Sequence, residues 1–337
     1  MLTLLWLLGL SAIATALVWK GSLYLEGAAD RLALYYGLPA IVQGSIIAAV
    51  GSSFPELASV VIATVLYEEF VLGVGAIVGS AVFNILVIPA LSVLARRGTL
   101  ESSRALVYRE AQFYIISVAA LLLVFSFAVI YYPVNGEGGL VGEITRPLAL
   151  SAIALYGLYL FIQQQETSDF DAPAPPSSLS VGKQWGLLAL GLLVILVGVE
   201  LLVRAAVGLG EFFGTPSFLW GLTIIAAGTS LPDAIISVRA AQHGDSTISL
   251  ANVFGSNIFD LLVAIPVGVL IIGAAEIDFA VAAPMMGFLI VATIALFGAA
   301  RTDFEITDLE AWLLLCLYGL FVCWMVLESV GVTSVVL

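Results

Sequence analysis

Along most of this chain, apolar residues run uninterrupted for the length of a bilayer, then stop at a charge, a Pro/Gly cluster or a short polar turn. Runs of this kind lie near 2–18, 38–67, 71–94, 110–131, 147–163, 185–208, 217–240, 247–273, 279–299 and 309–330. One helical crossing takes about 20 apolar residues. Membrane strands would instead alternate apolar and polar positions over about ten residues. The pattern therefore predicts an all-α polytopic membrane protein with ten transmembrane helices. The first run has no basic residue ahead of it, and Lys20 follows it, so it reads as a first helix rather than a signal peptide. One polar stretch, 164–184, is Pro-rich and acidic and reads as a tether between two halves, 1–163 and 185–337.

Composition narrows the class. Of 337 residues, 61% are hydrophobic and 10% charged, with a mean hydropathy of +1.14. A soluble domain carries about 25% charged residues, which excludes a water-soluble enzyme. Eleven basic against 24 acidic residues give a net charge of −13, the wrong sign for a nucleic-acid partner. Acidic loops suited to a salty medium account for most of that excess. Cys316 and Cys323 lie two helical turns apart in one apolar run, so they read as buried packing residues and cannot bridge within one helix.

With the amino terminus outside, inner loops and helix ends carry Lys20, Arg31, Arg96, Arg97, Arg104, Arg109, Lys183, Arg239 and Arg301, and the outer side carries Arg146 and Arg204. Nine against two satisfies the positive-inside rule and places both termini outside and 164–184 inside.

The halves repeat. Residues 37–59 resemble 214–236, with Gly37/Gly214, Pro39/Pro216, Gly51/Gly228, Pro55/Pro232 and Glu56/Asp233 all 177 positions apart. Residues 75–87 resemble 251–263 at an offset of 176, matching Ser80 to Ser256 and Asn84 to Asp260. Five spans per half is odd, so the copies enter the membrane in opposite directions. That is an inverted-topology repeat, with α-repeats at about 37–94 and 214–273, and binding is expected at the midplane where the copies meet.

Within GSSFPE (51–56) and GTSLPD (228–233), a mid-span proline breaks the helix and frees backbone carbonyls, which lipid tolerates only where they face a cavity or an ion. Ser52, Ser53, Thr229 and Ser230 stand three or four positions before Glu56 and Asp233, on the same helix face. Ser80 and Asn84, like Ser256 and Asp260, are four apart and point one way. Small residues (Gly75, Gly79, Ala81; Ala251, Gly255) let helices approach closely. Folding the halves together converges Glu56, Asn84, Asp233 and Asp260. Carbonyls, hydroxyls and carboxylates are the ligands of hard cations such as Ca²⁺ and Na⁺. A charged carboxylate at the bilayer centre costs about 2.5–3.5 kcal/mol or more, so three of them point to a bound cation, or else a bound proton. By contrast Glu26, Asp30 and Glu211 read as interfacial residues near span ends.

At these residues the sequence resembles the cation/calcium exchanger superfamily, whose paired motifs G-[ST]-S-x-P-[ED] and G-S-x-x-x-[ND] both occur twice here; the likeness spans essentially the whole chain. The resemblance implies Glu56 and Asp233 as central Ca²⁺ ligands with Ser52 and Thr229 beside them. It implies Ser53, Ser80, Asn84, Ser230, Ser256 and Asp260 around flanking monovalent-ion sites, and the backbone carbonyls of Ala49 and Ala226 as further ligands. VGSAVFNIL (78–86) and GSNIFDLL (255–262) resemble the potassium-dependent sodium/calcium branch. The linker is too short for the regulatory domains of animal exchangers.

The expectation is a plasma-membrane antiporter, not an enzyme. Na⁺ entry would drive Ca²⁺ export by alternating access, with no cofactor and no obligatory protein partner beyond the bilayer. The short first helices of each half (1–18 and 185–208) are candidates for the moving element. K⁺-dependent exchange, Ca²⁺/H⁺ antiport and a passive cation channel are the alternatives.

Overall fold

The computed structural model describes residues 2–36, 49–96, 98–104, 106–134, 140–166, 180–329 and 332–333. The start of the first repeat (37–48) and residues 167–179 of the linker lie outside them. Among the described residues eight helices are long and apolar enough to cross a membrane, or nine when the bent pair Ser217–Thr229 and Leu231–Gln242 counts as one span. The protein is a multi-pass membrane protein.

The first half runs α1 (Leu2–Tyr35), α2 (Ala49–Ser52), α3 (Phe54–Leu66), α4 (Phe70–Arg96), β1 (Leu100–Glu101), α5 (Gln112–Tyr131), β2 (Val141–Thr145) and α6 (Arg146–Glu166). The second runs α7 (Val181–Phe213), α8 (Ser217–Trp220), α9 (Ala226–Thr229), α10 (Leu231–Gln242), α11 (Ser246–Phe259), α12 (Ile265–Ile272), β3 (Ala274–Asp278), α13 (Phe279–Arg301), β4 (Glu305–Ile306) and α14 (Asp308–Ser329). Three π-helical turns, Leu106–Ala111, Gly221–Ile225 and Asp260–Ala264, join these elements.

α4 is buried on nearly every side, as its unbroken apolar composition requires. It packs against α10, α14, α3 and the Gly221–Ile225 turn. Glycines set how near these elements come. A Cβ on Gly79 would lie 2.3 Å from the carbonyl oxygen of Leu222, one on Gly221 2.6 Å from that of Leu72, and one on Gly75 2.7 Å from the Phe218 ring. The expected close approach therefore holds at Gly75 and Gly79. At Gly255 the nearest contact is the Tyr159 hydroxyl, at 4.0 Å.

α1 and α7 are not short. They span 34 and 33 residues, each about 50 Å of helix at 1.5 Å per residue. α1 continues through Lys20, Glu26, Asp30 and Arg31 because Val18, Gly21, Ser22, Leu25, Ala28 and Leu32 keep an unbroken buried stripe. Glu26 therefore sits inside the helix, half-buried, rather than at a span end. α7 stops at Gly214, whose φ of 64° is left-handed and suits a residue without a Cβ. The two helices run antiparallel, backbone against backbone: a Cβ on Gly21 would lie 2.9 Å from Ile195 N, one on Gly191 2.6 Å from Leu25 N, and one on Gly198 2.9 Å from Val18 N. Their side chains form an apolar cluster of their own with Ala58, Ile62, Leu72 and Ile225, separate from the main core.

Two small sheets tie the halves together. β1 pairs with β4 and β2 with β3, both antiparallel. The β1–β4 pair, two residues long on each side, is too short for sequence periodicity to show. Cys316 and Cys323 are free and exposed on α14, not buried. They share that side with Trp312, Leu313 and Leu320, the side a bilayer would cover.

Candidate cation-binding site

Both proline motifs break their helices, as expected, two positions before the proline. Ser53 separates α2 from α3 and Ser230 separates α9 from α10, with Pro55 and Pro232 in the first turn beyond each break. The first turns of α3 and α10 carry Glu56 and Asp233. α4 brings Ser80 and Asn84, and α11 brings Ser256. Asp260 opens the π-helical turn after α11, where the Ile265 N–H reaches back to the Asp260 carbonyl. Such a turn re-aims the side chain it carries.

The ten predicted side chains, Ser52, Ser53, Glu56, Ser80, Asn84, Thr229, Ser230, Asp233, Ser256 and Asp260, are each at most 1% exposed. Glu56, Asp233 and Asp260 lie within electrostatic reach of one another. Among the described residues no Lys, Arg or His is buried, so no protein cation is buried with these carboxylates. Among the same residues no three acidic, His or Cys side chains close on a single point. An ion here must therefore take hydroxyl, amide and carbonyl oxygens as well as carboxylates.

The contacts come in matched pairs, one pair within the repeats and the others crossing between them. Ser80 Oγ donates to Glu56 Oε1 at 3.4 Å, and its counterpart Ser256 faces Asp233. Thr229 of the second repeat faces Glu56, and Ser52 of the first faces Asp233. Asn84 Nδ2 donates to Asp233 Oδ2 at 3.3 Å, while its counterpart Asp260 feels Glu56. Ser80 and Ser230 share a hydrogen bond of 2.7 Å across the interface. The Ala226 carbonyl accepts from Ser230 N at 3.0 Å and Thr229 Oγ1 at 3.4 Å. Ala49 opens α2; nothing further places its carbonyl.

Six of the site's buried oxygens have no hydrogen-bond partner: Ser53 Oγ, Glu56 Oε2, Asn84 Oδ1, Asp233 Oδ1 and both carboxylate oxygens of Asp260. Buried polar atoms are nearly always paired, so six orphans in one place describe a ligand shell for a hard cation.

Sequence reasoning missed two amides. Asn257 accepts from Asn84 Nδ2 at 3.0 Å and donates to the Ala81 carbonyl at 3.2 Å; Asn252 faces Asp233 and donates to Ser237 at 3.1 Å. Their first-repeat counterparts are Ala81 and Ala76, so the signal lay where the repeat fails. Asn257 holds the Asn84 amino group and leaves Asn84 Oδ1 facing the site. Asn257→Ala is expected to raise the half-saturating cation concentration about fivefold, the worth of one hydrogen bond of about 1 kcal/mol. Exchange kinetics in vesicles would check it, and an unchanged value would show that Asn84 orients without Asn257.

Comparison with known proteins identifies the family. The profile of the family described as "Sodium/calcium exchanger protein" matches residues 6–164 and 183–327. The chain is 31% identical over 283 residues to "Putative antiporter CaxA" of Alkalimonas amylolytica, covering 83% of this chain and 85% of that protein. It is 26% identical over 333 residues to "Sodium/calcium exchanger MaX1" of Methanosarcina acetivorans, covering 90% and 93%. A solved structure of the sodium-calcium exchanger NCX_Mj shares its fold, with a TM-score of 0.63 at 22% identity, covering 95% of this chain and 99% of that one. A duplicated, oxygen-lined acidic site buried between helices thus meets a profile that matches nearly the whole length, and the chain belongs to the sodium/calcium exchanger family.

Proposed function

We propose that the protein is a Na⁺/Ca²⁺ antiporter of ten spans, built as two inverted five-helix repeats over 1–163 and 185–337, that exports Ca²⁺ as Na⁺ enters. The carrying observation is the set of six unpartnered buried oxygens drawn from both repeats. Glu56 and Asp233 hold Ca²⁺, helped by Ser52, Thr229 and the carbonyls of Ala49 and Ala226. Ser53, Ser80, Asn84, Ser230, Ser256 and Asp260 hold Na⁺ beside them. Ligands this close together make occupancy by one ion exclude the other, which is the requirement for exchange rather than leak.

The crossed contacts support the inverted repeat, because each partner in one copy is met by its image in the other. The separate cluster of α1 and α7 supports that pair as the element that moves against a fixed core. A Cβ on Gly228 would lie 2.9 Å from both Thr15 of α1 and Leu202 of α7, so the pair touches the broken helix beside Asp233. The placement of basic residues, nine against two, supports both termini outside and the linker on the inner side of the membrane.

Proton or K⁺ coupling is the second reading, favoured by Asp260, which carries a carboxylate with no hydrogen-bond partner where the first repeat has an amide. Radiolabelled Ca²⁺ flux into liposomes, with Na⁺, K⁺ or H⁺ as the sole counter-ion, separates these. Flux driven by a Na⁺ gradient alone is expected. Flux driven only by a pH gradient would transfer the assignment to proton exchange, and flux without any counter-ion would make the protein a channel.

A further inference from the structure

The contacts between α1 and α7 are reciprocal. A Cβ on Gly21 would meet Ile195 and the Gly191 carbonyl, and one on Gly198 would meet Val18 and the Ala14 carbonyl. Gly21/Gly198, Val18/Ile195 and Ala14/Gly191 are each 177 positions apart, the offset of the proline motifs. The same offset sets Ser22, Glu26 and Asp30 of α1 against Val199, Val203 and Val207 of α7. Three polar residues thus stand where the matching helix has three valines. Packing is served by valine at all three places, so the oxygens of α1 answer to something else.

Ser22, Glu26 and Asp30 are spaced four apart and stand on successive turns of one helix face. Thr15, seven positions before Ser22, shares that face, and a Cβ on Gly228 would lie 2.9 Å from its hydroxyl. α1 packs along α9 and α10, so the face looks toward the broken helix that carries Asp233. Burial deepens along the row: Asp30 is exposed, Glu26 half-buried and Ser22 1% exposed. Glu26 lies within electrostatic reach of both Asp30 and Asp233. Among the described residues neither Glu26 nor Asp30 forms an ion pair. The basic residues of the same helix, Lys20 and Arg31, are exposed on other sides of it. Ser22 Oγ is buried without a hydrogen-bond partner. Ser11 of the same helix instead donates to the Leu7 carbonyl at 2.9 Å, the local bond open to any helical serine. Ser22 leaves its oxygen free, one turn from the Glu26 carboxylate.

Building on the antiport reading, we propose that Ser22, Glu26 and Asp30 form a second cation site, a loading station for Ca²⁺ between the surface at the Asp30 end of α1 and the central site. Two carboxylates and a hydroxyl are hard oxygen donors, but Ca²⁺ takes about 6–8 oxygens, so the station catches the ion without trapping it. A mouth lined by one sign of charge raises the local counter-ion concentration about tenfold or more. Val199, Val203 and Val207 give the opposite mouth no such station, so the two faces of the membrane load Ca²⁺ at different concentrations.

The test is Ca²⁺ uptake by the full-length protein in oriented vesicles, measured at each face in turn. Glu26→Gln with Asp30→Asn is expected to raise the half-saturating Ca²⁺ about tenfold at the face where α1 ends, by loss of that local enrichment, and to leave the other face unchanged. An unchanged value at the α1 end would overturn the proposal. So would an equal rise at both faces, which would make these residues part of the central site or its packing. A second measurement does not depend on exchange. Trp19 stands one turn before Ser22 on the same face, its indole N–H buried and unpaired, and is placed to excite Tb³⁺ bound in place of Ca²⁺. The Tb³⁺ emission that Trp19→Phe removes is expected to vanish with Glu26→Gln and to survive Glu56→Gln. No such emission, or its survival in Glu26→Gln, would overturn the loading station. Absence of Na⁺-driven flux in the parent protein, with this emission pattern intact, would overturn the antiport reading alone.

Discussion

Replacing Glu56 by Gln, or Asp233 by Asn, is expected to abolish Ca²⁺ exchange while leaving the protein folded. Both side chains are at most 1% exposed, and no Lys, Arg or His is buried among the described residues, so on the proposed reading the charge they carry serves a bound ion. Removing one charge from a buried, mutually dependent set costs about 3–5 kcal/mol, at least a hundredfold in occupancy at about 1.4 kcal/mol per factor of ten. The amide keeps the shape of the carboxylate, and removing charge relieves repulsion between neighbouring acids. In ion-free buffer containing a chelator, the variants should therefore melt no lower than the parent protein. Loss of flux without loss of stability separates a ligand from a packing residue. Wild-type Na⁺-driven Ca²⁺ uptake in either variant would remove it from the site. Asp260→Asn is a milder change, because Asn84 already supplies an amide at the matching position of the first repeat. Its expected outcome is altered counter-ion preference with Ca²⁺ flux retained.

The second large effect concerns assembly. Gly79→Ala should sharply lower the melting temperature and the monodisperse yield. The added Cβ would meet the Leu222 carbonyl oxygen at 2.3 Å, its carbon at 2.7 Å and Ala226 Cβ at 2.8 Å. A main-chain carbonyl inside a π-helical turn cannot swing aside as a flexible side chain can, so α4 and the broken span must separate. Overpacking of this kind costs about 1–3 kcal/mol or more. Because Ala226 opens α9 on the way to Thr229 and Asp233, whatever protein survives should also bind cations more weakly. Gly287→Ala, on the exposed side of α13 with nothing within 4 Å, is the matched control. Equal melting curves for the two variants would refute the close crossing.

The acids, hydroxyls and prolines of the site were legible in the sequence because lipid permits buried charge only under strong compulsion, and because duplication printed the same pattern twice. What escaped was what duplication does not repeat. Asn252 and Asn257 stand opposite alanines, so no internal comparison could flag them. The π-helical turn at Asp260 falls in the second copy, while Asn84 sits within a continuous helix; main-chain geometry of that kind leaves no trace in apolar periodicity. The full length of α1 was hidden by Lys20, Glu26, Asp30 and Arg31. Charges end a run of hydropathy, but they do not end a helix whose other face stays packed. The cysteines of α14 misled for the opposite reason, since in a bilayer an apolar side chain has no preference for the protein interior.

The glycine seam between α1 and α7 has a mechanical consequence. At Gly21, Gly191 and Gly198 the main chains come into contact, and the Ile195 and Val18 side chains close on the same glycines, so neither helix can turn past the other without a clash. In the proposed mechanism the two helices would therefore travel together, as one unit of about 50 Å. If the pair moves as proposed, the turn at Gly214 and Thr215 that follows α7 is a joint that sets how far it can travel.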